Sequence, residues 1–187
     1  EARASGAIDS KHVVQVLDAG VDEVTQSPFM VMELLQGEDV QELIARVGVV
    51  APDLALRVVA QACVGLQQAH DAGIVHRDIK SANMFLSRRD GSEVVLKLLD
   101  FGIAKVRADR YSADENQGLT RTGSMLGSPV YMSPEQARGA KSLDGRSDLW
   151  SLGVAMYELL AGVTPNGDRE TLGELILAIC AEEARLG

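Results

Sequence analysis

The sequence has few cysteines, few aromatic residues and no excess of positive charge. The only cysteines among its 187 residues are Cys63 and Cys180. They form no metal-type pair, so we predict that both are reduced thiols and that Cys63 lies in a helical core. Reduced thiols and the lack of a secretory signal peptide indicate a cytoplasmic location. Lys and Arg number 18 against 27 Asp and Glu, so the formal net charge is −9. This charge argues against a broad nucleic-acid surface or an anionic-membrane face.

Long hydrophobic runs are also missing. The longest apolar stretch, 149–163, carries Glu158 and is too short to span a bilayer, so we predict a buried helix and no membrane segment in this chain. A membrane anchor elsewhere in a longer protein stays open. The chain opens on Glu1 rather than Met, in the helix-favouring run E-A-R-A, which predicts a fragment of a longer protein.

Hydrophobic patterning predicts a small strand-bearing start followed by a mostly helical body, which is an α+β fold. Two antiparallel strands are expected over 13–17 and 29–32. Asp39 is predicted to cap a short helix, and a hairpin is predicted around Asp90-Gly91.

Three longer helices follow from spacing and end signals. Pro52 opens the first, and its predicted buried face is Leu56, Val59, Cys63, Leu66 and His70. The second carries a stripe of large apolar residues over 149–160, closed by Gly162. The third begins with a capping box of Thr171 and Glu174. The polar stretch 107–124 between these elements is predicted to be a functional or disordered loop.

Three chemistry-bearing side chains lie close together in the stretch 76–83, which reads H-R-D-I-K-S-A-N. The Asp78 carboxylate can accept a hydroxyl proton, the Lys80 ammonium can neutralise phosphate, and the Asn83 amide oxygen can bind Mg²⁺. Phosphoryl transfer to an alcohol needs those three roles. Taken singly, each residue has the simpler interpretation of a solvated side chain, but the set at this spacing is far more specific.

A second motif, D-F-G, begins at Asp100. Alone it is a weak signal, because Asp before Gly is common in turns. Here it follows the first motif by one predicted hairpin, which returns the chain beside Asp78. An Asp in that position can chelate Mg²⁺ through hard oxygen atoms.

Four motifs in order carry a family resemblance: 76–83, the D-F-G at 100–102, S-P-E at 133–135 and D-L-W-S-L-G at 148–153. The chain resembles the eukaryotic-like (Hanks-type) Ser/Thr protein kinases over essentially its whole length, and S-P-E-Q-A-R-G resembles their bacterial branch.

The resemblance implies a partial protein-kinase-like fold, truncated at both ends. Residues 1–35 would be a remnant of the N-lobe and hinge, and 36–187 an incomplete helical C-lobe. It also implies ATP and Mg²⁺ as cofactors and protein Ser/Thr hydroxyls as substrates.

The resemblance assigns roles on the phosphate side. Asp78 would be the catalytic base, and Lys80 would contact the γ-phosphate and mark the Ser/Thr branch. Asn83 and Asp100 would hold Mg²⁺. Ser128 would bridge Asp78 and Lys80 on the substrate side.

It likewise assigns roles on the nucleotide side. Met32 resembles the gatekeeper, and the stretch from Glu33 to Leu35 resembles the hinge whose backbone binds adenine. Asp39 would meet the ribose hydroxyls, and Phe85 would form the floor under adenine.

Support and regulation are implied as well. Asp148 would pin the catalytic loop, and His76 and Phe101 would be packed structural residues. Thr120 and Thr122 are hypothesised autophosphorylation sites, with Arg77 gripping a phosphate and ordering the loop, and with self-association as one route. The simpler interpretation, that loops are rich in hydroxyls, is preferred for Ser124.

The pattern departs from the family in several places. The Gly-rich loop and the strand Lys of the V-A-I-K element are absent from these 187 residues, and Glu1 resembles the acidic partner of that lysine, or is an ordinary helix-start carboxylate. An Arg partner for Glu135 on a later helix is missing, and Ser81 replaces the commoner Pro.

Because positioning and electrostatics dominate this catalysis, we expect the isolated chain to be nearly inactive and the longer protein to be active. The alternatives are a non-catalytic pseudokinase or binding module, and a small-molecule phosphotransferase. The first is disfavoured by the intact polar set, the second by the S-P-E segment and Ser128.

Overall fold

The computed structural model describes residues 8–88, 93–101 and 129–181. Its elements in chain order are β1 (Val16–Val21), β2 (Pro28–Met32), β3 (Gly37–Asp39), α1 (Val40–Val47), α2 (Pro52–Asp71), a 3₁₀ turn (Ser81–Asn83), β4 (Met84–Arg88), β5 (Val94–Leu98), a 3₁₀ turn (Pro129–Tyr131), α3 (Pro134–Ala137), α4 (Gly145–Ala161) and α5 (Leu172–Ala181). Strands precede a mostly helical body, so the predicted α+β fold is confirmed.

The first sheet pairs β1 with β2 in antiparallel fashion, with Val16 opposite Met32 and Val21 opposite Pro28. The turn between them is organised by Asp22, whose Oδ1 accepts hydrogen bonds from the backbone N–H of Thr25 at 2.7 Å and from that of Val24. No residue of these two strands is buried. The sheet therefore contributes little to the core.

The strand predicted over 13–17 begins only at Val16, so that prediction was partly wrong. Val13 and Val14 are buried and join the other sheet, where Val13 bridges Leu98 in parallel and the Val14 N–H donates to the Leu98 carbonyl at 3.0 Å. Their apolar side chains thereby reach the core, which β1 does not touch.

The second sheet has the order β3-β4-β5, all antiparallel. It contains the paired strands of the predicted hairpin, with Met84 opposite Leu98, whereas Asp90 and Gly91 lie outside the described residues. Gly37 opens β3 at φ 149°, and a Cβ atom there would lie 2.0 Å from the Leu86 carbonyl oxygen. Only glycine permits this close approach of β3 to β4.

The helix α1 begins as predicted. Asp39 is its N-cap: Asp39 Oδ1 accepts from the Glu42 N–H at 2.8 Å, and Glu42 Oε2 accepts from the Asp39 N–H at 3.2 Å. This reciprocal pair is a capping box.

The predicted face of α2 was wrong except at Leu66 and, in part, at Val59 and His70. Leu56 is 54% exposed and Cys63 is exposed, so the core thiol predicted at Cys63 is not found. The buried face consists mainly of small residues: Ala55, Val58, Ala62, Gly65, Leu66 and Ala69. A pattern of large apolar residues misses this face because the helix packs closely through Ala and Gly.

The predicted face of α4 was also only partly correct. Leu152 is buried as predicted, but Leu149 is 53% exposed and Tyr157 is also exposed. Its buried face combines polar and apolar residues: Ser147, Asp148, Ser151, Leu152, Ala155 and Leu159. Gly162 ends the helix at φ 75°, as predicted.

Only half of the capping box predicted for α5 forms. Thr171 Oγ1 accepts from the Glu174 N–H at 3.2 Å, but the Glu174 carboxylate accepts from the Glu170 N–H. The core is built around α2, which contacts β5 of the second sheet and also α4. Among the described residues, no helix is long and apolar enough to cross a membrane.

Candidate active site

The loop between α2 and β4 brings three of the predicted site residues together. Lys80 Nζ lies 3.0 Å from Asp78 Oδ2. The Asn83 amide nitrogen donates to the Asp78 carbonyl at 2.8 Å and to Asp78 Oδ2 at 3.2 Å. The 3₁₀ turn of Ser81–Asn83 returns the chain so that this contact forms. Because the amide nitrogen makes both bonds, the Asn83 oxygen remains as a ligand for a cation.

A buried carboxylate on α4 fixes the backbone of this loop. Asp148 is 1% exposed. Its Oδ2 accepts from the His76 N–H at 2.9 Å and lies 2.7 Å from His70 Nε2, and its Oδ1 accepts from the Arg77 N–H at 2.7 Å. Asp148 therefore attaches the loop to the core helix α4, which is the role that the resemblance implies for it.

His76 links the loop to the strand end that carries Asp100. Burial lowers the pKa of His76, so its ring is neutral. A neutral ring has one N–H, and Nε2 must donate it to the Leu99 carbonyl at 2.8 Å; Nδ1 then accepts from the Asp78 N–H at 3.3 Å. The ring also lies 4.5 Å from that of Phe101, centroid to centroid.

Two non-glycine residues flanking the site have left-handed backbones: Arg77 at φ 66° and Asp100 at φ 52°. Such conformations cost free energy and persist where the surroundings enforce them. Here the enforcing bonds are those of Asp148 to Arg77 and of His76 to Leu99. Asp100 itself is exposed, so its carboxylate is open to a ligand.

On the predicted hinge, Glu33 makes hydrogen bonds through both its backbone and its side chain. Its N–H donates to the Gln15 carbonyl at 3.0 Å, while its Oε1 accepts from the Gln15 N–H at 2.8 Å and from Lys97 Nζ at 2.5 Å. The Lys97 side chain is only 5% exposed. Sequence reasoning missed Lys97, although a single lysine inside the apolar strand β5 was a signal of a buried ion pair.

The sheet register sets the predicted nucleotide-contacting residues in one row. Asp39 lies opposite Phe85, and Phe85 lies opposite Lys97. Directly opposite residues share a face of the sheet, so half-buried Phe85 shares its face with Asp39 and Lys97. Met32 ends β2 and is 39% exposed, and half-buried Leu35 follows before β3.

The S-P-E segment forms the start of α3. Ser133 is its fully buried N-cap, and its hydroxyl accepts from the Gln136 N–H. Glu135 Oε1 accepts from the Ser147 hydroxyl at 2.5 Å, which holds the pKa of Glu135 below its ordinary value. Within the described part of the chain, the Glu135 carboxylate is thus hydrogen-bonded by a serine on α4, whereas the resemblance implies an arginine as its partner.

Several predicted residues lie outside the described ranges: Glu1, Thr120, Thr122, Ser124 and Ser128. Their roles stay predictions. Within 8–88, 93–101 and 129–181, no group of three or more His, Cys, Asp or Glu could hold a metal ion. The available donors, the Asn83 amide oxygen and the Asp100 carboxylate, are hard oxygens that suit Mg²⁺ when phosphate oxygens and water complete its coordination.

Comparison with known proteins identifies the class that this fold and site define. The sequence profile described as the protein kinase domain matches residues 1–183, so the chain belongs to the protein kinase domain family.

Several bacterial relatives carry the name serine/threonine-protein kinase. Pkn1 of Myxococcus xanthus is 41% identical over 177 residues, which is 94% of this chain and 24% of the relative. Pkn3 of the same organism is 39% identical over 88% of this chain and 29% of its own length. PknB of Mycolicibacterium smegmatis is 38% identical, over 88% and 25% respectively.

These findings confirm the predicted family and its bacterial Ser/Thr branch. The chain spans about a quarter of the length of the curated relatives that it matches.

Proposed function

We propose that this chain is the catalytic core of an enzyme that transfers the γ-phosphoryl group of ATP to Ser or Thr hydroxyls of proteins. The observation that carries the proposal is the convergence of Lys80 and Asn83 on the Asp78 carboxylate. Three further bonds support it, since Asp148 and His76 fix the loop and link it to the residue before Asp100.

Each residue has one task in the proposed reaction. Asp78 orients the substrate hydroxyl and accepts its proton, and Lys80 neutralises the charge on the transferred phosphoryl group. The Asn83 oxygen and Asp100 hold Mg²⁺, which neutralises charge on the β- and γ-phosphates when bound. Lys80 pairs with Asp78, so a bound phosphate would compete with the Asp78 carboxylate for the ammonium.

The nucleotide base and sugar are assigned to the row of residues beyond the loop. Backbone groups from Glu33 to Leu35 would hydrogen-bond adenine, and Phe85 would contact its face. Asp39 would accept from the ribose hydroxyls. The register supports this arrangement because Asp39 and Phe85 are direct cross-strand neighbours.

Regulation and substrate binding form a further part of the proposal. Phosphates on Thr120 and Thr122 would be gripped by Arg77, after autophosphorylation within a self-associated pair. Ser128 would bridge Asp78 and Lys80 when a protein substrate binds.

Reduced cysteines and the use of ATP favour a cytoplasmic location for this chain. Residues 1–187 contain neither a Gly-rich loop nor a V-A-I-K lysine, so as an isolated piece they would transfer little phosphate, whether or not Glu1 pairs with such a lysine.

The direct test uses the full-length gene product, γ-labelled ATP and a mixed set of peptides, followed by phosphoamino-acid analysis. We expect Mg²⁺-dependent label on Ser and Thr, lost in Asp78→Asn and kept in Asp71→Asn, an exposed carboxylate that pairs with Gln67 on α2. Label on Tyr alone, or equal label in the two variants, would contradict the proposal.

A further inference from the structure

Ser81 is buried, and its hydroxyl points out of the catalytic loop toward another part of the chain. It is 1% exposed, and its Oγ lies 2.9 Å from the Tyr131 hydroxyl oxygen, fifty residues away. The Tyr131 hydroxyl in turn donates to Glu158 Oε2 at 2.6 Å. A serine on the loop is thus joined to a carboxylate on α4 through one tyrosine.

The direction of this chain of bonds follows from proton counting. Burial, together with the bond to Glu158, raises the pKa of Tyr131, so its hydroxyl keeps its single proton. That proton goes to Glu158 Oε2, because the Tyr131 hydroxyl is the donor in this bond. The Tyr131 oxygen can then only accept from Ser81, so Ser81 is the donor. A side chain without a hydroxyl at position 81 cannot donate this O–H hydrogen bond to Tyr131.

A second bond ties the same two segments together. The Gln136 side chain donates through Nε2 to the Arg77 carbonyl at 2.9 Å. Arg77 and Ser81 stand on either side of Asp78, so the segment 129–136 is attached to the catalytic loop on both flanks of the proposed base. The Tyr131 carbonyl is also held, by the Ser151 hydroxyl at 2.7 Å.

We propose that Ser81 is a positioning residue: by donating to Tyr131 it holds the segment 129–136 at a fixed distance from Asp78 and so sets how a protein substrate presents its hydroxyl. The proposal rests on the proposed function and adds to it that the segment 129–136, which is bonded to the loop next to Asp78, contacts the protein substrate. It assigns Ser81 no contact with ATP, so its effect is confined to the protein substrate.

The kinetic test compares Ser81→Ala, Tyr131→Phe and the double variant in the full-length gene product. Losing one hydrogen bond of this kind should lower kcat/KM for a Ser peptide by about three- to tenfold in Ser81→Ala, with KM for ATP unchanged. The double variant should equal Tyr131→Phe, since the two residues share one bond. The matched control is Ser87→Ala, which truncates another buried serine, on β4. Unchanged peptide kinetics, a parallel rise in KM for ATP, or additive losses would overturn the proposal.

Hydrogen exchange separates this inference from the proposed function. The N–H groups of Met132 and Ser133 are bonded to the Pro129 carbonyl and to Gln136 Oε1 within the segment. We expect them to exchange faster in Ser81→Ala and not in Ser87→Ala, even if the protein transfers no phosphate. Unchanged exchange in Ser81→Ala would overturn the attachment itself.

Discussion

Two carboxylates hold the two halves of the candidate site, and they differ in burial. Asp148 supports the catalytic loop from α4 with its side chain 1% exposed, and accepts from the N–H groups of His76 and Arg77. Glu33 supports the predicted hinge with its side chain 24% exposed, and accepts from the Gln15 N–H and Lys97 Nζ. The bonds are alike in kind, but only Asp148 lies in the core.

The difference shows how each half is built. The phosphate-transfer half is continuous with the core of α2, α4 and β5. The hinge half follows β2, which like β1 has no buried residue, and Glu33 joins it to the core through Lys97. Removal of a buried charge partner costs more than removal of a partly exposed one, so the two halves should respond differently to equivalent changes.

The largest effect is expected at Asp148. Asp148→Ala leaves the N–H groups of His76 and Arg77 without their acceptor, so the free energy of unfolding should fall by about 3–5 kcal/mol. Urea denaturation measures this, and Asp168→Ala, with a side chain 79% exposed, serves as the surface control. Equal losses in the two variants would remove the basis of the comparison.

A smaller effect is expected at Glu33. Glu33→Gln leaves the buried Lys97 ammonium short of its partner, so unfolding free energy should fall by about 1–3 kcal/mol, and ATP should bind more weakly. Replacing both partners is less costly than breaking the pair, so Glu33→Gln with Lys97→Met should recover part of the loss. A double variant that loses the sum of both single effects would argue against this ion pair.

His76 should give the catalytic half a pH dependence of its own. Its pKa is lowered from 6.5 by burial, so the unfolded chain binds the proton more readily than the folded one. Stability is therefore full above pH 6.5 and falls as the pH drops below it. The lowered pKa values of Glu38 and Glu135 start from 4.5, so the contribution of His76 is measured best by chemical denaturation between pH 6.5 and 4.5. His76→Gln should flatten the slope, and an unchanged slope would contradict the buried neutral ring.

The smallest effect is expected at Asp39, where two substitutions separate its capping role from its proposed role in ATP binding. Asp39→Ala removes the N-cap of α1 and should cost about 1 kcal/mol, whereas Asp39→Asn keeps a capping side chain and should cost little. If Asp39 also accepts from ribose, Asp39→Asn should still weaken ATP binding. Thermal unfolding and nucleotide titration of both variants test this, and full ATP affinity in Asp39→Asn would leave only the cap.

The sequence predicted local features better than packing. The N-cap at Asp39 and the helix end at Gly162 depend only on neighbours within a few residues. Both could therefore be predicted from the local sequence. The buried faces of α2 and α4 were predicted only in part, because they also contain Ala, Gly, Ser and Asp, which a search for the spacing of large apolar residues ignores.

Within the site, the spacing of Asp78, Lys80 and Asn83 predicted their convergence. The bonds of Lys97 to Glu33 and of Ser81 to Tyr131 could not be predicted, because each joins segments about fifty or more residues apart. Only the register of the sheet and the fold of the chain bring those partners together.

The most direct measurement of the central claim is the effect of Asp78→Asn on turnover and on nucleotide binding in the full-length gene product. If Asp78 is the base, kcat should fall by about 10²–10⁴, while the Kd for Mg·ATP stays close to that of the unaltered protein. Retained turnover, or a loss of activity that follows entirely from lost ATP binding, would contradict the account.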